Sequence, residues 1–172
     1  PLVDSRYRAN PASADDRRRV LEQVREEAGA VPGVLHLWNL DYAATELTGA
    51  LLPQVERDGA YSVIALAQAV EQLDWTEAPR FWVATAGGPV VDRADRTVPS
   101  QLPSWGILRV LLSEHSSLRA KIIDFDPASG ADVRAKPLFA DLHPARTPTQ
   151  ATAYRDATRF ADRLQHHPPP EN

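Results

Sequence analysis

Asp124 and Asp126 flank Phe125 at the end of the run Ala120-Lys121-Ile122-Ile123-Asp124-Phe125-Asp126, which Pro127 stops. Open α/β sheets bind ligands at the carboxyl ends of their strands, so acidic groups there invite a reading as acid/base or phosphoacceptor residues. A phosphoacceptor of the receiver type needs a further acidic pair and a lysine at other strand ends. The lysine is missing, and the pair reads as a strand closing in an Asp-Pro turn. Glu114-His115 offers a second acid/base pair at a helix end. Adjacent helical residues diverge in direction, and a histidine there can meet the terminal carbonyls, so this pair also reads as structural. His143, His166 and His167 carry metal-ligating nitrogens but sit in proline-bearing loop and tail, where ligands are not held rigidly, and they read as solvated. There is no cysteine, which excludes disulfides, thiolate zinc sites, iron–sulfur clusters and thiol catalysis.

Phosphate binding needs a glycine-rich turn leading from a strand directly into a helix, with free amides facing the ligand. The one candidate, Thr85-Ala86-Gly87-Gly88-Pro89, lacks the later glycine and runs into Val90-Val91 and a charged stretch, so it reads as a turn. Short-chain reductase chemistry needs a tyrosine with a lysine four residues on, to lower its pKa. Tyr7, Tyr42, Tyr61 and Tyr154 are followed at that spacing by Pro11, Glu46, Ala65 and Thr158. No serine sits in a G-x-S-x-G elbow. Trp38 and Trp82 lie in apolar runs and Trp105 on an apolar helical stripe, which assigns them to core packing or a buried interface.

The elements that position these residues follow from periodicity. Ser13 caps a helix running to about Ala28, with Asp15 and Asp16 in its first turn, a stripe of Val20, Leu21, Val24 and Ala28, and Gly29 as its stop. Val34 to Leu40 reads as a strand, residues 41–57 as a loop with a helical turn, and Ala60 to Leu73 as a helix. Arg80 to Thr85 forms a second strand, Ser100 to His115 a helix with the stripe Trp105, Leu108, Leu111 and Leu112, and Ala120 to Asp126 a third strand. Alternation of apolar strands and helices predicts a parallel sheet with right-handed crossovers and helices on both faces. Beyond Pro127 the pattern is ambiguous. Ala151, Tyr154, Ala157, Phe160, Ala161 and Leu164 make a helical stripe, yet Tyr154, Thr158, Phe160 and Leu164 also alternate as in strands.

The chain has 172 residues, 43% hydrophobic and 24% charged, the profile of one globular domain. A chain of this size buries about 70% of its unfolded surface, enough for a core without covalent staples. The formal net charge of −4 gives no global attraction to nucleic acid or anionic lipid, and no run is long enough to span a membrane, so a soluble cytoplasmic protein is expected. Having no methionine and opening on Pro1, the sequence is expected to be part of a longer product. Residues 1–165 form the expected domain and 166–172 a His/Pro-rich tail or linker.

In order and spacing, several segments resemble the structural subdomain of ketoreductases in modular type I polyketide synthases. They are Val34-Leu35-His36-Leu37-Trp38-Asn39-Leu40-Asp41, Pro79-Arg80-Phe81-Trp82-Val83-Ala84-Thr85, Trp105-Gly106-Ile107-Leu108-Arg109 with Glu114-His115, and Ile122-Ile123-Asp124-Phe125-Asp126-Pro127. The resemblance implies a truncated Rossmann-like fold that binds no cofactor, is not itself an enzyme, and braces a catalytic subdomain that carries NADPH. It makes Trp38, Trp82, Trp105, Gly106, Arg109, Glu114, His115, Asp124 and Asp126 structural or interface residues, with no catalytic, cofactor or metal ligand among them. Implied partners are the ketoreductase catalytic subdomain, or a methyltransferase, dehydratase or enoylreductase domain beside a pseudo-ketoreductase, with acyl carrier protein engaged only indirectly. It also implies a C-terminal hairpin with strands at Tyr154 and at Phe160 to Leu164, against the helical stripe. Leu108 stands where the family has a second glycine, Ser116 where it has proline, and Ala157 where it has the glycine of an R-D-G turn. The family's opening strand and helix have no counterpart in this sequence, and the sheet edge so exposed is expected to be covered by another segment of the parent. An alternative is a small assembly-line enzyme on the same remnant fold, acting on acyl thioesters through Asp124, Asp126 or His115.

Overall fold

The computed structural model describes residues 5–93, 95–143, 149–156 and 158–163. Its first helix, α1 (Ala14–Ala28), begins where Ser13 predicts: the hydroxyl accepts the Asp16 N–H at 3.2 Å, and Gly29 at φ 76° ends the helix by donating its N–H to the Arg25 carbonyl. The serine oxygen satisfies an amide without a helical partner, and the left-handed stop suits a residue without Cβ. Of the predicted stripe Leu21 is buried and Ala28 exposed, so the helix docks through its middle.

Strand β1 is shorter than the apolar run suggests. It spans Gly33–His36, and Trp38–Tyr42 then form a 3-10 turn, so Trp38 is not a strand residue. Asn39 explains the break. Buried, it donates to the Ala84 carbonyl at 3.4 Å and accepts the Ser104 hydroxyl at 2.8 Å, side-chain bonds that compete with a continued ladder. The predicted loop contains a short helix, α2 (Leu52–Glu56), with Pro53 in its first turn, where the missing N–H costs nothing. One π-helical turn, Arg57–Tyr61, joins it to α3 (Ser62–Glu71).

The remaining elements are β2 (Arg80–Ala86), α4 (Leu102–Glu114) after a 3-10 turn at Pro99–Gln101, β3 (Ala120–Phe125), α5 (Ala131–Leu142), β4 (Ala151–Arg155) and β5 (Thr158–Ala161). They build a five-stranded sheet in the order β1-β2-β3-β4-β5, parallel from β1 to β4 and antiparallel between β4 and β5. This is a truncated Rossmann-like, mostly parallel arrangement with helices on both faces and a C-terminal hairpin. The hairpin prevails over the helical stripe because β4 is buried on both sides: Ala151 and Ala153 are buried, and the Tyr154 ring stacks on Phe125 at 5.9 Å and 18°. Pairing beside β3 outweighs local periodicity. Asp156 takes φ 49° at the bend; Ala157 and Leu164 lie outside the described residues, as does the predicted tail.

Phe81, Val83 and Ile122 face α1, α3 and α4, meeting Leu21, Val63, Val70 and Leu108. Ala84, Ile123, Phe125 and Tyr154 face the other way, toward Ala43, Leu40 and Leu138 of α5. The four parallel strands advance in one direction across the sheet while α5 covers the face opposite α3 and α4. The β3-α5-β4 crossover therefore has the opposite hand to the two before it, and the expectation of uniformly right-handed crossovers fails at this step. A buried carboxylate holds α5 there. Asp141 accepts the Thr152 hydroxyl at 2.9 Å and pairs with Lys121 at 3.2 Å and Arg159 at 3.1 Å, joining the helix to β3, β4 and β5. Burial pushes this carboxyl upward, but the Thr152 hydrogen bond and the Lys121 charge outweigh it and hold it below its ordinary value.

Candidate functional site

The carboxyl ends of β2, β3 and β4 meet at Asp124, whose position in the middle strand makes it the natural centre of a ligand cleft. Its carboxylate is sealed among the described residues. Asp124 is 0% exposed, and Oδ1 accepts the Thr85 hydroxyl at 2.6 Å and the Gly88 N–H at 2.9 Å. Arg155 Nη2, at the end of β4, lies 2.9 Å from Oδ2 in an ion pair whose angle is not that of a hydrogen bond. The same guanidinium donates to Asp95 at 2.9 Å, to the Pro89 carbonyl at 2.9 Å and to the Tyr154 carbonyl at 3.0 Å. Burial is the largest influence on the Asp124 carboxyl and raises it above its ordinary value, against the lowering by Thr85, Gly88 and Arg155.

The glycine turn faces inward as well. Gly87, at φ 77°, donates its N–H to the Phe125 carbonyl at 2.9 Å and accepts from the Val98 N–H at 2.8 Å. With the Gly88 N–H on Asp124, both amides that a phosphate would need are already used. Trp105 closes the turn from α4, its indole N–H donating to Thr85 Oγ1 at 2.8 Å. A Cβ on Gly88 would stand 2.1 Å from that nitrogen. Gly88→Ala should therefore displace the indole and cost about 2 kcal/mol by overpacking, read as a lower urea midpoint. An unchanged midpoint would mean that Trp105 is free to move.

A second set of polar side chains locks the neighbouring strand ends. Gln101, fully buried, accepts the Ala86 N–H at 3.2 Å and donates to the Asn39 carbonyl at 2.9 Å. Below it, Ser62 Oγ lies 3.0 Å from His36 Nε2 and accepts from Arg17 Nη2 at 3.2 Å, while the Arg17 guanidinium covers the Trp38 ring at 4.1 Å. Burial, and then the Arg17 charge, lower the His36 pKa to about 4, so the ring is neutral.

The structure separates the other predicted site residues. Asp126 is at the surface end of β3, where Oδ1 accepts the Ala128 N–H at 2.8 Å, the turn role expected of it. His115 does not meet the terminal carbonyls of α4 through its ring. Nδ1 lies 2.5 Å from Glu71 Oε1 on α3, because the end of α4 runs beside that helix; Glu114 is exposed and takes no part. Trp82 is half-buried on β2, Gly106 has open space where a Cβ would be, and the exposed Arg109 pairs with Asp162 at 2.8 Å. Leu108 is fully buried in the core. Asn39, Thr85, Gln101, Asp95, Arg155 and Asp141 are among the polar residues that sequence reasoning missed. For Asn39, Thr85 and Arg155 the one sequence signal is placement within or just after apolar runs; Asp95 and Gln101 have none. Among the described residues no cluster of His, Asp and Glu could hold a metal ion, and no helix is long and apolar enough to cross a membrane.

No family model matches the chain. It is 28% identical over 162 residues, 91% of its length, to one phenolphthiocerol/phthiocerol polyketide synthase subunit of Mycobacterium tuberculosis (strain ATCC 25618 / H37Rv), of which it covers 9%. Two other subunits of that synthase in the same strain match as well. One is 26% identical over 163 residues, 89% of this chain and 10% of that protein. The other is 27% identical over 111 residues, 64% of this chain and 5% of that protein. The chain thus spans a tenth or less of the curated relatives it matches. In fold it is similar to a chain of the adenylation, ketoreductase and pseudo Asub multidomain structure of a keto acid-selecting NRPS module, with a TM-score of 0.71 and 20% identity over 87% of this chain and 12% of that one. The chain is accordingly related to a segment of large polyketide synthase subunits and shares its fold with part of a ketoreductase-containing synthase module.

Proposed function

We propose that this chain is a non-catalytic ketoreductase structural subdomain of a modular polyketide synthase, whose work is to present a rigid folded body to a catalytic neighbour. The reading rests on one observation above all: the Gly87 and Gly88 amides at the switch from β2 are spent on the Phe125 carbonyl and the Asp124 carboxylate. A dinucleotide phosphate would have to break both bonds and uncover a buried charge. The chain itself then takes no cofactor, and NADPH belongs to the adjoining catalytic half. The neighbour is the ketoreductase catalytic subdomain or, for a pseudo-ketoreductase, a methyltransferase, dehydratase or enoylreductase domain of the same cytoplasmic assembly. Acyl carrier protein meets that neighbour and not this chain. Titration calorimetry with NADPH should give no heat of binding to the chain alone, and a saturable heat would overturn the proposal. The repurposed enzyme is the weaker reading, since Asp124 is sealed and His115 is engaged with Glu71. It would gain support from acyl-thioester turnover that Asp124→Asn abolishes while the folded state persists.

A further inference from the structure

Helix α1 is fastened to the body of the fold through residues of one face. Arg17, Leu21 and Arg25 stand four residues apart and point the same way, with the buried Leu21 in the middle. On either side of it an arginine covers a tryptophan: Arg17 lies over the Trp38 ring at 4.1 Å, and Arg25 over the Trp75 ring at 5.5 Å. The two clamps differ in what stands behind them. Arg25 donates to the Asp74 carbonyl at 2.9 Å, a group that does not titrate. Arg17 Nη2 donates at 3.2 Å to the fully buried Ser62 Oγ, which lies 3.0 Å from Nε2 of the buried His36 ring. Among the described residues no other acceptor is bonded to the Ser62 hydroxyl, so its hydrogen goes to Nε2 of the neutral ring, which places the ring hydrogen on Nδ1. Arg17 Nε and His36 Nδ1 are buried and have no hydrogen-bond partner among the described residues.

We infer that Arg17, His36, Trp38 and Ser62 form an acid-operated release for the first half of α1: a proton taken up at His36 Nε2 reverses the Ser62 hydrogen bond, expels the Arg17 guanidinium from Trp38 and loosens Ala14 to Val20, while Leu21 and Arg25 keep the rest of the helix docked. The proton removes the lone pair to which Ser62 donates. Nε2 becomes a donor, and two cations then compete for one hydroxyl oxygen in a site closed to water. Arg17 is the partner that leaves. His36 is buried in β1 opposite Val83, whereas Arg17 is half-buried on a surface helix and can swing into water. Among the described residues no anion faces the ring to hold both cations. α1 presents Arg17, the turn after β1 presents the edge of Trp38 at 5.6 Å and 75°, and α3 presents Ser62. The π-helical turn presents the Asp58 carbonyl, its carboxylate being turned to Tyr42 at 2.7 Å and to Arg57 at 3.0 Å. Burial, and then the Arg17 charge, keep the ring neutral down to about pH 4, so the clamp is closed at neutral pH. A local change of charge thus has a discrete element to bias, which is what a switch requires.

The test follows the full chain by NMR as acid is added. At neutral pH, long-range proton–nitrogen spectra should show the His36 ring as the Nδ1–H tautomer, and the Arg17 side-chain protons beside the Trp38 indole should resonate upfield. On acidification that upfield shift should vanish with the same midpoint as the His36 ring carbons titrate. Over the same range the amides of Arg17 to Val20 should exchange about tenfold faster, while those of Val83 and Ile122 stay protected. Arg17→Gln removes the competing cation and should let His36 bind its proton about tenfold more tightly. In His36→Gln the Arg17 shift should persist to the acid end. Four results would each overturn the inference: an Nε2–H ring at neutral pH, an Arg17 shift that survives the His36 titration, unchanged exchange at Arg17 to Val20, or joint loss of all native resonances before either side chain responds. None of these readouts involves NADPH or a neighbouring domain, so the calorimetric test of the bracing role succeeds or fails separately.

Discussion

Replacing Asp124 with alanine should lower the unfolding free energy by about 3–5 kcal/mol, a large share of the roughly 5–15 kcal/mol that holds a domain of this kind together. The loss does not measure the worth of the Asp124–Arg155 pair. It measures what remains when the carboxylate goes: a guanidinium only 10% exposed that has lost one of its two carboxylate partners, and the Thr85 hydroxyl and the Gly88 N–H, each without its acceptor. Asp124→Asn should cost less, because an amide oxygen can still accept from Thr85 and Gly88 while the charge facing Arg155 is lost. Urea unfolding of the two variants beside the parent chain checks the ranking. A loss below about 1 kcal/mol for the alanine variant would mean that the existing Asp95 pair is enough for Arg155 and that water replaces the carboxylate at Thr85 and Gly88.

Acidification should destabilise the chain through His36 before most of its carboxylates are protonated. The ring titrates at about 4 in the fold against an ordinary 6.5, so between those values the unfolded chain binds a proton that the folded chain refuses. Stability is therefore complete above pH 6.5 and falls as the pH drops toward 4, by about 3 kcal/mol from this one group. The slope belongs to His36 alone if the neutral variant His36→Gln lacks it. The difference in unfolding free energy between parent and variant, measured from pH 7 to pH 4, should change by that amount; parallel curves would show that the ring charges freely in the native state. Asp124 cannot produce the same slope, since a raised carboxyl favours the folded chain as acid is added.

Much of the architecture is legible in the residues because it is local. Ser13, Gly29, Pro79 and Pro127 are boundaries whose chemistry acts within a turn of where they stand, and the observed elements start or stop beside them. The places where the reading fails depend on partners far along the chain. Trp38 leaves the strand because Asn39 is bonded to Ala84 and Ser104. Helix α5 escapes notice because Pro137 interrupts it and Phe139 points to solvent at 76% exposure, leaving Leu138 and the buried Asp141 to hold it. The stripe after Gln150 reads as a helix until β3 is seen to pair with it. For the site, the absence of a phosphate fingerprint is visible in the sequence, but its physical substitute is not. Nothing local to Thr85 or Arg155 says that they converge on Asp124 of β3, or that Gln101 reaches the end of β2.

The reversed crossover has a mechanical consequence. α1, α3 and α4 share one continuous apolar layer, whereas on the far side α5 shares the sheet only with the turn carrying Leu40 and Ala43, and is held by Leu138 and a cluster of charges. Such a flap is the natural unit of partial opening: it can lift from the sheet while the opposite layer stays intact. Under tension this flank would yield first while the opposite layer held its shape.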